Sequence, residues 1–159
     1  GNIRSQLMFQ QSLIKREDAG KEEAIYRDKK LDLAKEVVVY GRSHGDPQDR
    51  NAFKGSAVIS AMHGKLYLDD ENNLLYENLG SNKSKIRGSK EQAYTILNKD
   101  ETGVLMTAQA LQEVVRTGQP IVASIKLGFQ LKPHFIVRIV ACSKDHQDQA
   151  SQITMAEGD

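Results

Sequence analysis

The chain carries no tryptophan, one cysteine, three prolines and only 6% aromatic residues. A lone Cys142 cannot form a disulfide within the chain and says little about compartment. No run of eighteen apolar residues occurs, so nothing reads as a membrane-crossing helix, and no charged-then-apolar leader opens the chain. An excess of one charge is missing too. Lys plus Arg is 22, Asp plus Glu 21 and the net charge +1, which gives no global attraction to nucleic acid or membrane. His44, His63, His134 and His146 show no metal-ligand spacing. Ser56, His134 and a late acid such as Asp159 stand in an order open to a Ser/His hydrolase, but Gly55-Ser56-Ala57 lacks the Gly-x-Ser-x-Gly elbow. No catalytic residue, cofactor or metal is therefore expected. The 159 residues suffice to bury a real core. They read as one soluble domain, which could be excised from a longer protein with Gly1 as a cloning scar.

What is present is a series of short apolar stretches with polar punctuation. Residues 3–14 mix alternation with an apolar end and read as a strand, although Leu7, Met8, Gln10 and Gln11 also suit a helix. Arg16 to Lys30 is charged and reads as a solvated loop, with a short helix at Glu22-Glu23-Ala24 as the alternative. Lys30–Ala34 and Glu36–Tyr40 read as consecutive strands, the second (Val37-Val38-Val39-Tyr40) buried on both faces. Ser43 to Gly55 has loop chemistry throughout, and Ala57–Ile59 re-enters a sheet. Lys65–Leu68 and Leu74–Glu77 flank a five-residue polar turn as a hairpin, and Ile86 marks a further short strand. Ile121–Ile125 and His134–Cys142 are strands. Residues 89–110 show no clear period, and Thr107 could cap a helix with Leu111, Val114 and Val115 on one face. Many short strands with no alternating long helices predict an all-β sandwich of two antiparallel sheets.

The stretch from Gly41 to Gly88 concentrates the chemistry. Gly41-Arg42 follows a β-branched run, so the guanidinium leaves the sheet at a loop, where its fixed donors suit phosphate oxygens. The structural alternative for Arg42 is a loop salt bridge with Asp46 or Asp49. Ser60-Ala61-Met62-His63 and Asn78-Leu79-Gly80-Ser81-Asn82 supply further donors in loops. Lys83, Lys85, Arg87 and Lys90 add four positive charges with no acid between Asn78 and Lys90. Such a run raises local anion concentration.

Taken together and in this order, Gly41-Arg42, Ser60-x-x-His63 and Asn78-Leu79-Gly80-Ser81-Asn82 running to Gly88 resemble the forkhead-associated (FHA) domain, a phosphothreonine-peptide binding module. The likeness covers residues 30 to 142, within a single FHA-like domain of residues 1–142. Residues 143–159 are left as a C-terminal tail in which Ile153-Thr154-Met155 could dock. The resemblance implies an FHA/SMAD-like β-sandwich with phosphopeptide contacts at Arg42, Ser60, Ser81, Asn82 and Lys83, and structural roles for Gly41 and His63. Ala61 replaces a polar residue common in the family. The 81–84 loop is one residue short and lacks the glycine that permits positive φ, so Asn82 or Lys83 must take up the turn. The resemblance also makes residues 89–110 an insertion and puts a strand at Val114-Val115, in competition with the helix that Thr107 would cap. It implies a phosphothreonine-containing partner, no nucleic acid, no membrane, and a nuclear or cytoplasmic location. The alternative function is an FHA-like scaffold that binds partners without phosphate. Two to four charge-assisted hydrogen bonds at roughly 1.5–3 kcal/mol each, less the ordering of a peptide, give an affinity on the order of micromolar.

Overall fold

A computed structural model of the chain describes residues 2–18 and 21–146. Ten strands form two antiparallel sheets. They are β1 (Leu7–Asp18), β2 (Lys21–Leu31), β3 (Val38–Tyr40), β4 (Gly64–Leu68), β5 (Leu74–Asn78), β6 (Ser84–Arg87), β7 (Thr95–Leu97), β8 (Glu101–Met106), β9 (Ile121–Leu127) and β10 (His134–Ser143). One sheet runs β2-β1-β10-β9-β6-β7 and the other β3-β4-β5-β8. Side chains alternate across each strand. Leu66, Leu74, Tyr76, Ile125, Leu127, Phe135, Val137 and Ile139 therefore meet in one core between the sheets. The sandwich is the fold class expected from the many short strands, and no described helix is long and apolar enough to cross a membrane.

Two helices close the ends. Helix α1 (Pro47–Phe53) starts with the Asp46 carboxylate accepting from the Gln48 amide at 2.8 Å, with Pro47 in the first turn. Its Phe53 ring meets Phe135 edge-on, centroids 5.1 Å apart. Its buried Asp49 accepts from the Tyr26 hydroxyl at 2.5 Å, and Gln11 bridges the same network to the Tyr40 hydroxyl. Burial, the largest effect, raises the Asp49 pKa above the usual carboxylate range. Helix α2 (Ala108–Thr117) is capped by Thr107, whose hydroxyl accepts from Ala110, and it ends at Gly118 with φ 75°. Leu111 and Val114 face the core.

Several expectations are corrected. Residues 3–5 form a short 3-10 turn before β1. The charged 16–30 stretch is a β-hairpin arm: β1 runs to Asp18, and β2 is the outer strand of its sheet, where charged side chains are at home on the unpaired edge. Lys30–Ala34 is the end of β2 and a turn. β3 is also an edge strand, with Val38 and Val39 only half-buried, so it is not buried on both faces. The 43–55 loop contains α1. Residues 57–63 make bends and no strand, because their backbone groups bond to other loops. Residues 89–110 hold β7 and β8, and Val114-Val115 lie in α2 as the Thr107 cap suggested. The 65–77 hairpin and the β6, β9 and β10 strands lie where they were read. The Ile153–Met155 segment and Asp159 fall outside the described residues.

On the outer face of the larger sheet, Met8, Val122, Val140 and Cys142 form a second small cluster. Burial pushes the Cys142 thiol up to about 11.

Removing the Thr107 cap should lower stability by about 1 kcal/mol, while Leu111→Ala should cost roughly 2–5 kcal/mol. Urea unfolding of the two variants checks this ordering.

Candidate functional site

Three loops meet at the end of the sandwich where β3 stops and β4 begins. The first approach depends on Gly41, where a Cβ would collide with the Ala61 carbonyl oxygen. That closeness lets the Arg42 amide donate to the Ser60 carbonyl at 3.1 Å and the Ser43 amide to the Ala61 carbonyl at 3.0 Å. The Arg42 side chain is exposed, and its Nε donates to the Ile59 carbonyl. Its two terminal nitrogens make no hydrogen bond or ion pair among the described residues. The candidate salt-bridge partners are engaged elsewhere: Asp46 pairs with Lys29 at 2.9 Å and Asp49 sits with Tyr26.

His63 joins all three loops. Its amide donates to Tyr40 at 2.7 Å, and its carbonyl accepts from Leu79 at 2.8 Å and Gly80 at 3.1 Å. Its Nδ1 accepts from the Ser60 amide at 3.0 Å, which places the ring proton on Nε2. The ring lies against Gly80, where a Cβ would overlap it. Nε2 is buried with no hydrogen-bond partner. Burial lowers the His63 pKa to about 4, so the ring is neutral near pH 7.

Ser60 is half-buried. Its Oγ accepts from the Ser81 amide at 3.1 Å, so its own hydroxyl proton is left to point at a ligand acceptor. Ser81 and Lys83 are exposed and Asn82 is half-buried. The Asn82 Nδ2 donates to the Val58 carbonyl at 3.0 Å, which ties the amide nitrogen into the fold and leaves Oδ1. Asn82 and Lys83 make this turn without a positive φ; among the described residues the non-glycine positions with positive φ are Asp28, Asn72 and Asp100. The Lys83 carbonyl instead accepts from the Gly128 amide at 3.1 Å, which anchors the loop to the β9–β10 turn.

The structure thus brings Arg42, Ser60, Ser81, Asn82 and Lys83 onto one set of interlocked loops, with Gly41 and His63 beneath. It adds a residue that the sequence reading did not single out. Asn78 is fully buried, and its Nδ2 donates to the carbonyls of Asn82 at 3.1 Å and Leu97 at 3.2 Å. Its Oδ1 accepts from the Ser84 hydroxyl at 2.8 Å, which in turn is 2.9 Å from the Tyr76 hydroxyl. The signal was available: Asn78 continues the inward series of Leu74 and Tyr76 at a spacing of two, so a polar group there needed internal partners. Among the described residues no cluster of His, Cys, Asp and Glu could hold a metal ion.

Between pH 6.5 and about 4 the unfolded chain takes up a proton at His63 that the folded chain refuses. The resulting stability is fully present above the ordinary histidine value and disappears as pH falls toward the folded one, at most about 3 kcal/mol in total. An imidazole chemical-shift titration should show His63 unprotonated above pH about 5. In His63→Asn, which keeps an acceptor for Ser60, the loss of stability on acidification should be shallower.

No family model and no curated protein matches the chain. Among solved structures it is similar to the N-terminal FHA domain of Rad53p from S. cerevisiae, determined in complex with a phosphothreonine peptide. The TM-score is 0.47 and the identity 17%, over 88% of this chain and 98% of that one. An engineered FHA with a Myc-pTBD peptide has a TM-score of 0.44 at 14% identity, covering 89% and 97% of the two chains. A structure of Rad53 1–466 in complex with AMP-PNP has a TM-score of 0.43 at 17% identity, over 90% of this chain and 33% of that one. The three sequence elements stand in adjoining loops at one end of a two-sheet antiparallel sandwich.

Proposed function

We propose that the chain is a phosphorylation-dependent protein–protein interaction module that binds phosphothreonine peptides at these loops. The observation that carries the reading is a set of unused donors beside one another. Arg42 has its Nε anchored on Ile59 and its terminal nitrogens without partners among the described residues. The neighbouring Ser60 has its Oγ lone pair taken by Ser81 and its proton left over. A phosphothreonine, with about −1.5 to −2 charges at neutral pH, needs such donors and has no proton to give back.

In this reading the Arg42 guanidinium, the Ser60 hydroxyl, the Ser81 hydroxyl and the Lys83 ammonium hold the phosphate. Asn82 offers Oδ1 to a peptide amide. Gly41 and His63 keep the loops in place, and no residue has a catalytic role. The phosphate dianion is recognised best, so affinity falls as pH drops below the second phosphate pKa near 6. The reading that dispenses with phosphate draws on Asn82, whose amide nitrogen is tied to Val58.

Fluorescence anisotropy with matched phosphothreonine, phosphoserine and unphosphorylated peptides separates the two. Selective binding of the phosphothreonine form is expected, and Arg42→Ala should weaken it by at least about 50-fold through loss of charge-assisted bonds. The same change deletes only the Ile59 contact from the fold, so the melting temperature should fall by no more than roughly 2–4 °C. Equal signals from all three peptides would favour the phosphate-independent scaffold.

A further inference from the structure

Strand β6 leaves the 79–83 loop directly, and it carries a cation cluster that the phosphothreonine site does not use. Ser84 and Ile86 point inward, and Lys85 and Arg87 alternate with them on the other face. Lys85 stands directly opposite Lys126 of β9 in the antiparallel register. Like charges placed this way are destabilising. Both ammonium groups approach the same aromatic ring: Lys85 Nζ is 5.0 Å and Lys126 Nζ 4.9 Å from the centroid of Tyr94, with the Arg87 guanidinium carbon at 4.5 Å. A ring has two faces, so at least two of the three cations share one. Lys85 Nζ also lies 4.6 Å from the Phe129 centroid. The neighbouring His134 registers the same field. Its pKa is lowered by burial first and then by Lys126, Lys132, Arg16 and Lys85, so the largest charge effects on it come from cations.

Cations drawn together in this way match an anion of more than one charge. The cluster is continuous with the phosphothreonine loops, because exposed Lys83 precedes β6 and its carbonyl is held by Gly128 of the β9–β10 turn. The aromatic rings do not make an open stacking platform for bases, since cations already lie over Tyr94 and Phe129. The net charge of +1 supplies no general pull on a polynucleotide either. The chemistry therefore favours a peptide.

We infer that Lys85, Arg87 and Lys126 around Tyr94 form a second anion site for the same ligand, taking a second phosphoryl group or a pair of carboxylates close to the phosphothreonine. The second anion stands on the same peptide as the phosphothreonine, because Lys83 of the first site runs directly into Lys85 of the second. The inference rests on the phosphothreonine reading, and the ligand it specifies is a multiply phosphorylated or acid-flanked segment.

The test uses the full chain and three fluorescent probes: a phosphothreonine peptide with neutral flanks, the same peptide with a phosphoserine added nearby on either side, and a single-stranded oligonucleotide. The wild type should bind one of the doubly phosphorylated peptides about five- to tenfold tighter than the neutral-flank peptide, as two partly exposed ion pairs would give. Lys85→Gln with Lys126→Gln should remove that preference and leave neutral-flank binding within about twofold. Lys85→Arg with Lys126→Arg should retain it. In the wild type the preference should also shrink as salt rises from about 0.05 to 0.5 M, a readout that needs no variant to fold. Equal wild-type affinity for singly and doubly phosphorylated peptides overturns the inference, as does an oligonucleotide that displaces the doubly phosphorylated peptide. If Arg42→Ala leaves neutral-flank binding untouched, the phosphothreonine reading fails by itself, whereas failure of the second site alone shows as a lost preference with Arg42 dependence intact.

Discussion

The geometry of the loop end depends on one side chain. His63 is bonded to β3, to the Ser60 loop and to the Gly80 loop at once, through its amide, its ring and its carbonyl. Only a neutral imidazole can do this, because Nδ1 must accept and a proton there would face the Ser60 amide. Burial enforces that state. The ring therefore has to stay out of water for the loops to keep their register; Gly80 leaves the volume it occupies, while Gly41 admits the Ala61 carbonyl beside it. Arg42 and Ser60 are held near one another because the backbone around His63 leaves them no other arrangement.

A second layer of buried polar contacts supports this one. Asn78, Ser84 and Tyr76 hold the 79–83 loop from inside the core, and Gln11, Tyr26, Asp49 and Tyr40 tie α1 to β1, β2 and β3. The first network is buried and the second is partly so through the half-buried Tyr26; a missing buried partner would cost about 1–3 kcal/mol. Such groups add less to net stability than apolar packing does, but they discriminate strongly between registers. A loop slipped by one residue would take the Asn82 carbonyl away from the buried Asn78 amide. The buried Asn78 and Ser84 thus help determine where the exposed donors stand, although neither reaches the surface.

The alternation of β4, β5, β9 and β10 was plain in the sequence because those strands bury one face or both, so their pattern is imposed by the core. The loop elements at 41, 60–63 and 78–82 were plain for a different reason: glycine, serine and histidine there answer to close backbone approach. What stayed hidden lies at edges and ends. β2 is a charged outer strand whose residues look like a loop, because water satisfies the side it does not pair. Helix α1 has an Asp-Pro start that composition alone reads as a turn. Residues 57–59 are apolar yet bend, since Val58 and Ile59 are recruited as carbonyl acceptors for Asn82 and Arg42. That outcome depends on contacts 24 and 17 residues away, which no local pattern contains. Helix α2 was legible in its Thr107 cap, and tertiary packing of Leu111 and Val114 decided it.

The outer-face cluster has a practical consequence. Cys142 is completely enclosed, and its proton is held more tightly than that of an ordinary thiol, so it presents almost no thiolate to reagents near neutral pH. The native chain is in effect chemically silent toward maleimides and disulfide-forming labels. A cysteine introduced at an exposed turn position away from these loops, such as Asp70, would be the sole reactive thiol, and a dye could be attached there without first engineering a cysteine-free background.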